Sequence, residues 1–147
     1  MVNLKMSDLF GAQQLNALAQ FLSDFEKAGF VAGQDSDLER NPDGSFNAYY
    51  VTYTARVLEF EQAAYKHKWV LPNFDWGEWI QTAEPKRLRD DPEALAKATP
   101  HQLAKLLTVL IRQDRFCEGA LLDAFSSGLM LRIVRRIAAL AQDAPPE

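Results

Sequence analysis

The sequence predicts an all-α protein, an irregular bundle of five to seven helices with no significant sheet. Apolar residues recur at alternating steps of three and four positions from Ser7 onward, which places them on one face of each helix. Helix-capping signals also recur along the chain. The 147 residues are 48% hydrophobic and 24% charged, which suits one globular domain. We therefore expect residues 1–147 to form a single helical domain, with frayed ends at 1–6 and 142–147.

The first helix is predicted to run from Ser7 to Ala28. Ser7 is a suitable N-cap, and Asp8 would place negative charge at the positive end of the helix dipole. Gly29 follows as a residue that readily adopts the left-handed conformation found after many helices. The apolar face of this helix comprises Gly11, Leu15, Leu18, Leu22 and Phe25.

A polar connecting loop is predicted over residues 33–45, because Asn41-Pro42-Asp43-Gly44 has the composition of a tight turn. The following run, Tyr49 to Thr54, is rich in residues that favour strands, so a hairpin is an alternative. The helical spacing extends further than the strand-like alternation, and it predicts a long helix from Ser45 to His67 instead. The spaced residues are Phe46, Tyr50, Tyr53, Val57, Phe60 and Ala64.

Local capping chemistry predicts three further helix starts. At the first, Asp75 can cap the helix while Glu78 takes the third position of a capping box, and Phe74 with Trp79 can form a hydrophobic staple. The other two starts are Asp91 followed by Pro92, and Thr99 followed by Pro100 and Gln102.

Two helices are predicted in the C-terminal third, Cys117–Ser126 and Leu129–Ala141, separated by a break at Ser127-Gly128. The second carries three arginines beside its apolar stripe, Arg132, Arg135 and Arg136.

Charge is unevenly distributed along the chain. The net charge is −4 overall, but it is −5 over residues 1–63 and +4 over residues 97–136. This distribution argues against a generic nucleic-acid binder and leaves room for a local basic surface. One cysteine, no secretory signal and no apolar run of about 18 residues together predict a cytoplasmic protein without membrane association.

The run from Leu107 to Gly119, reading Leu-Thr-Val-Leu-Ile-Arg-Gln-Asp-Arg-Phe-Cys-Glu-Gly, resembles the core motif of a bacterial family known only as a domain of unknown function. The later segments Phe125–Gly128 and Arg135–Ile137 continue the resemblance. Upstream, Trp69–Trp76 is similar to a second motif of that family, with Asn73 inserted between proline and phenylalanine. The resemblance covers roughly residues 46–141. It implies a helical fold and supplies no substrate, cofactor or catalytic residue.

The densest polar cluster comprises Arg112, Asp114, Arg115 and Glu118. It could be an anion-binding or acid/base site, because arginine holds carboxylates and phosphates through two parallel hydrogen bonds. The same residues could instead be a structural junction in which arginines pair with acids where two helices meet. Tyr53, Asp75 and Trp76 complete the set of candidate binding residues.

Metal-ligand spacings, Gly-rich phosphate loops and nucleophile elbows are absent from the sequence, so we predict no metal, no cofactor and no catalytic residue. The leading hypothesis is a non-enzymatic module that binds another protein, with homo-oligomerisation left open. The first alternative is a small-ligand or anion-binding domain, possibly catalytic, centred on the cluster at Arg112–Glu118. The second is a helix-turn-helix DNA binder over residues 118–141 that would use Arg132, Arg135 and Arg136.

Overall fold

A computed structural model describes residues 10–35, 42–43, 51–116 and 119–143. The described residues are mainly helical, which confirms the fold class, although the helices are more numerous than predicted and a small sheet is present. The helices are α1 (Ala12–Ala19), α2 (Leu22–Phe25), α3 (Ala55–Lys66), α4 (Trp76–Trp79), α5 (Ala83–Asp90), α6 (Pro92–Ala96), α7 (Pro100–Phe116), α8 (Ala120–Ser126) and α9 (Leu129–Asp143). The strands are β1 (Gly33–Asp35) and β2 (Val51–Tyr53).

The predicted first helix is two helices, α1 and α2, with a break at Gln20 and Phe21. At the break, Gln20 Nε2 donates to Ala17 O at 2.9 Å, while the Phe21 ring turns into the core. Helix α1 begins after Gly11, whose N–H donates to Gln14 Oε1 at 3.1 Å. The predicted cap Ser7 lies outside the described residues. Gly29 has φ +83°, but α2 ends at Phe25, so the prediction that Gly29 directly follows the helix was wrong.

The prediction of one long helix from Ser45 to His67 was wrong at residues 51–53, which form a strand, and residues 45–50 lie outside the described part of the chain. Strands β1 and β2 form an antiparallel pair in which Gly33 faces Tyr53, so the hairpin is the correct alternative. A Cβ on Gly33 would lie 2.6 Å from Thr52 O, so the strands approach this closely only because Gly33 has no side chain. The Thr54 N–H donates to Ala32 O at 2.9 Å, and α3 begins at the next residue.

The predicted side-chain caps form at Asp75, Asp91 and Thr99, although at Asp75 the described residues show only the bond from the Glu78 N–H and not the return bond of a capping box. Asp75 Oδ1 accepts the Glu78 N–H at 3.0 Å, and the rings of Phe74 and Trp79 lie 5.6 Å apart. Each of these contacts joins residues no more than five positions apart, which is why local sequence predicts them. The other two helix starts also form as predicted. At α6, Asp91 Oδ1 accepts a hydrogen bond from Glu93 N at 3.0 Å. At α7 the bonds are reciprocal: Gln102 N donates to Thr99 Oγ1 at 3.2 Å, and Thr99 N donates to Gln102 Oε1 at 2.9 Å.

The core is organised around α7 and α9. Helix α9 packs against α1, α2, α6, α7 and α8, while α7 also contacts α4 and α8. Fully buried side chains from these two helices include Leu103, Leu107, Ile111, Met130, Ile133 and Ile137. Packing against so many other helices makes α9 a central structural element.

Buried hydrogen bonds connect the segment after α3 to the rest of the core. Thr108 Oγ1 on α7 donates to Ala104 O at 2.7 Å and accepts the Leu71 N–H at 2.9 Å. The fully buried Trp69 donates through Nε1 to Gln14 O on α1 at 3.0 Å. These bonds hold residues 69–71 against α7 and α1.

Among the residues that the structure describes, no helix is both long and apolar enough to cross a bilayer. The same residues contain no group of three or more His, Cys, Asp and Glu side chains arranged to hold a metal ion.

Candidate functional site

The Asp114 carboxylate lies at the junction between α7 and α8. Its Oδ1 atom accepts three hydrogen bonds: from the Tyr53 hydroxyl at 2.8 Å, from Gly119 N at 3.0 Å and from Leu121 N at 3.2 Å. Two of these donors are backbone N–H groups at the start of α8, where negative charge is stabilised by the helix dipole. Asp114 therefore acts as a cap for the following helix.

Tyr53 extends the same network from the hairpin. Its hydroxyl donates to Asp114 and accepts the Leu122 N–H at 3.1 Å. Burial, together with the hydrogen bond to the Asp114 carboxylate, raises the pKa of Tyr53 far above its usual value. The phenol stays neutral across the physiological range and joins β2 to the start of α8.

Only part of the predicted cluster can be placed. Arg112 is half-buried, and its buried Nε has no hydrogen-bond partner among the described residues. The Arg115 side chain and Glu118 lie outside what the structure describes. The described geometry therefore brings Asp114 together with Tyr53, and it shows no ion pair at Arg112.

Asp75 and Trp76 have local roles at α4. The exposed Asp75 uses its carboxylate to cap the helix, and Trp76 is half-buried against the core. No hydrogen bond between described residues connects either one with Tyr53 or Asp114. The candidate binding residues are therefore not shown to form one site.

The three arginines of α9 have different environments. Arg136 Nε donates to Ala98 O at 2.9 Å, which holds the connection between α6 and α7 against α9. Arg132 Nη2 makes a long, exposed contact of 3.4 Å with Arg89 O. Arg135 Nε lies 3.9 Å from Glu26 Oε2, and both side chains are about half exposed, at 56% and 45%. Arg136 is therefore anchored, whereas Arg132 and Arg135 are weakly held.

These arginines surround a surface groove of about 260 Å³ between α6 and α9, which we call the arginine groove. Pro92, Leu95 and Ala96 supply its α6 side, and Ala139 joins the arginines on α9. No carboxylate is among these lining residues. Sequence reasoning identified the arginines but missed the α6 side, because nothing local indicates that residues 92–96 lie against α9.

A second polar cluster, which sequence reasoning also missed, joins α4, α5 and α7. Glu84 Oε1 accepts hydrogen bonds from Trp79 Nε1 at 3.0 Å and from Lys105 Nζ at 2.6 Å. The hydrogen bond from Lys105 lowers the pKa of Glu84. Burial lowers the pKa of the neighbouring His101, whose buried Nδ1 has no partner among the described residues. The cluster connects three helices, and its members are too far apart in sequence to form a recognisable motif.

Helices α8 and α9 are joined by a short turn containing Gly128, which has φ +85°. The first two residues of α9, Leu129 and Met130, are 6% and 0% exposed. A DNA-recognition helix reads base edges mainly with residues near its N-terminus. Packing against the core occupies that part of α9.

Comparison with known proteins identifies a family to which most of the chain is similar. No curated protein and no solved structure shows a significant match. A family model described as a family of unknown function, DUF6508, matches residues 11–143, which include every helix described above. The chain belongs to the DUF6508 family of unknown function.

Proposed function

We propose that this protein is a non-enzymatic interaction module that binds an acidic segment of another protein in the arginine groove. The observation that carries the proposal is the arrangement of Arg132, Arg135 and Arg136 around a largely apolar floor. We include in the proposal a cytoplasmic location and a regulatory role in bacteria.

The chemistry of the groove determines the kind of partner. Arginine pairs with carboxylates through two parallel hydrogen bonds and is enriched at protein interfaces. Because the polar contacts of Arg132 and Arg135 with the described residues are long, at 3.4 and 3.9 Å, a partner can replace these contacts at little cost. In a suitable partner segment, an apolar side chain would pack on the apolar floor of the groove, and flanking Asp or Glu residues would pair with the arginines.

Two observations favour this proposal over the alternatives. Asp114 accepts three hydrogen bonds as a helix cap, so it is already engaged and is a poor general base. Because Leu129 and Met130 are buried, the first two positions of α9 cannot read DNA bases. Both observations support a binding module over an acid/base enzyme or a DNA reader.

A binding experiment with a defined probe tests the proposal. The probe is a fluorescein-labelled amphipathic peptide with leucines on one face and glutamates beside them, and the control peptide carries glutamine in place of glutamate. Fluorescence anisotropy should show binding of the acidic peptide that weakens as salt is raised. The double variant Arg132→Glu, Arg135→Glu should bind at least about tenfold more weakly, since two ion pairs become repulsive.

The matched control variant is Arg87→Glu, an exposed arginine of α5 that does not line the groove. It should bind the probe like wild type. Equal affinity for the two peptides, or equal loss in Arg87→Glu, would overturn the proposal. Light scattering over a concentration series provides a second arm. A dimer that the double variant abolishes would assign the groove to a second copy of this chain.

A further inference from the structure

A second pocket, distinct from the arginine groove, lies where the turn after α2 meets the ends of α8 and α9. Its volume is about 340 Å³, within the range of about 300–1,000 Å³ typical of small-molecule sites. The walls include Phe25, Phe30 and Phe125, and two leucines, Leu122 and Leu131, extend the apolar lining. None of the α9 arginines lines it.

The three phenylalanines form a compact aromatic cluster. Phe25 and Phe125 meet edge-on with ring centroids 5.0 Å apart, and Phe30 lies 5.1 Å from Phe25 and 6.1 Å from Phe125. Phe30 and Phe125 are only half-buried, and the neighbouring Val31 is 53% exposed. The pocket therefore leaves apolar surface in contact with water, and an apolar ligand would remove that surface from water.

Lys27 is the one charged side chain among the described lining residues. It is 69% exposed and lies 3.3 Å from Asp24 Oδ1, while Arg56 Nε binds the other carboxylate oxygen of Asp24 at 2.7 Å. The hydrogen bonds from Arg56 and then Lys27 lower the pKa of Asp24. Because Arg56 holds Asp24 more closely, Lys27 can turn to a bound anion and leave Asp24 paired.

Ser126 and Gly29, at the mouth of the pocket, also favour ligand binding. The exposed Ser126, at the end of α8, lines the pocket and offers a hydroxyl donor. Gly29 carries no side chain, and the position that a Cβ would take has nothing within 4 Å. The lining thus offers a cation, a hydroxyl and open space beside an aromatic wall.

We propose that this pocket binds a small monocarboxylate with an aromatic or branched apolar tail. The tail packs among Phe25, Phe30 and Phe125, and the carboxylate accepts hydrogen bonds from Lys27 and Ser126. The proposal is independent of the arginine groove, since the two surfaces share no lining residue.

The test uses 3-phenylpropionate as the probe and 3-phenylpropanol as its neutral analogue, each titrated into the full chain and followed by methyl NMR. We expect saturable shifts of the Val31, Leu122 and Leu131 methyl groups. The alcohol should bind about fivefold more weakly than the acid, as expected for loss of one exposed ion pair. Lys27→Gln should reduce the affinity for 3-phenylpropionate to that for 3-phenylpropanol, and it should leave the affinity for 3-phenylpropanol unchanged.

Lys66→Gln, at an exposed position on α3 outside the pocket, is the matched control and should bind both probes like wild type. The Arg132→Glu, Arg135→Glu variant should also bind 3-phenylpropionate with wild-type affinity. Failure of this proposal can therefore be distinguished from failure of the arginine-groove proposal. Three outcomes would overturn the proposal: no saturable binding of either probe, equal affinities that Lys27→Gln leaves unchanged, or shifts confined to methyl groups elsewhere.

Discussion

The Tyr53 hydroxyl donates a 2.8 Å hydrogen bond to Asp114 Oδ1 and thereby joins the hairpin to the α7–α8 junction. The two residues are 61 positions apart in sequence. The same phenol oxygen accepts the Leu122 N–H, so one side chain contributes to two hydrogen bonds at the start of α8. Asp114 is the member of the predicted polar cluster that this contact engages.

Tyr53→Phe should lower the free energy of unfolding by about 1–3 kcal/mol, because Asp114 loses a donor and Leu122 N loses its acceptor in a partly buried setting. Urea denaturation followed by circular dichroism measures the change. Asp114→Asn, which keeps an oxygen at the cap but removes its charge, should cost less than Asp114→Ala. An unchanged urea midpoint for Tyr53→Phe would contradict the structural role of the phenol.

Stability should decline at alkaline pH in a manner that depends on Tyr53. Its pKa is raised in the folded protein above the ordinary value of 10.0, so the folded state favours the neutral phenol. The stabilising contribution is therefore complete below about pH 10 and is lost as the pH rises further. Urea midpoints from pH 8 to 11 should fall less steeply above pH 10 in Tyr53→Phe than in wild type. Parallel curves for the two proteins would exclude this linkage.

Glu84 should make the stability of the protein decline at acid pH. The hydrogen bond from Lys105 lowers the pKa of Glu84 below the usual 4.5, so the folded state favours the carboxylate. Its contribution is present above about pH 4.5 and is lost as the pH falls through the lowered value. Glu84→Gln should be less stable at neutral pH and should lose less stability on acidification. Thermal melts between pH 3 and 7 provide the measurement, and an acid dependence identical to wild type would disprove the assignment.

Gly128→Ala should destabilise the protein by about 1–2 kcal/mol through backbone strain alone. Gly128 has φ +85°, and a Cβ there would have nothing within 4 Å, so a steric clash contributes nothing. Gly128→Asn should cost less, because asparagine tolerates the left-handed conformation. Gly77→Ala is the matched control on α4, where the Cβ would make ordinary contact at 3.6 Å and the change should be neutral or stabilising. Equal losses at both glycines would contradict the backbone explanation.

Duplex DNA should bind weakly and without sequence preference at physiological salt, because the first two residues of α9, Leu129 and Met130, are buried. Electrophoretic mobility shifts and fluorescence anisotropy with random and selected duplexes measure this. Submicromolar, sequence-selective binding that Arg132→Ala and Arg136→Ala abolish would establish the helix-turn-helix alternative.

Local sequence alone determined where several helices begin. The caps at Asp75, Asp91 and Thr99 form as predicted, because each joins a side chain to a backbone group two or three residues away. Such contacts depend little on the rest of the chain. The mainly helical character was predictable for the same reason, since helical periodicity is a property of short windows.

The tertiary structure determined which distant segments of the chain pair with one another, which the sequence did not predict. The run around Tyr53 has the spacing of a helix, yet residues 51–53 form a strand because Gly33 lies opposite and allows the two backbones to approach closely. Asp114 caps α8 through the Gly119 and Leu121 N–H groups, and only the tertiary structure brings Tyr53 to the same carboxylate oxygen. The arginine groove and the phenylalanine pocket each combine segments distant in the chain, α6 with α9 and the turn after α2 with α8. The physical reason is common to all of these features: a contact between distant residues forms only when packing brings the segments together, and local periodicity carries no information about that packing.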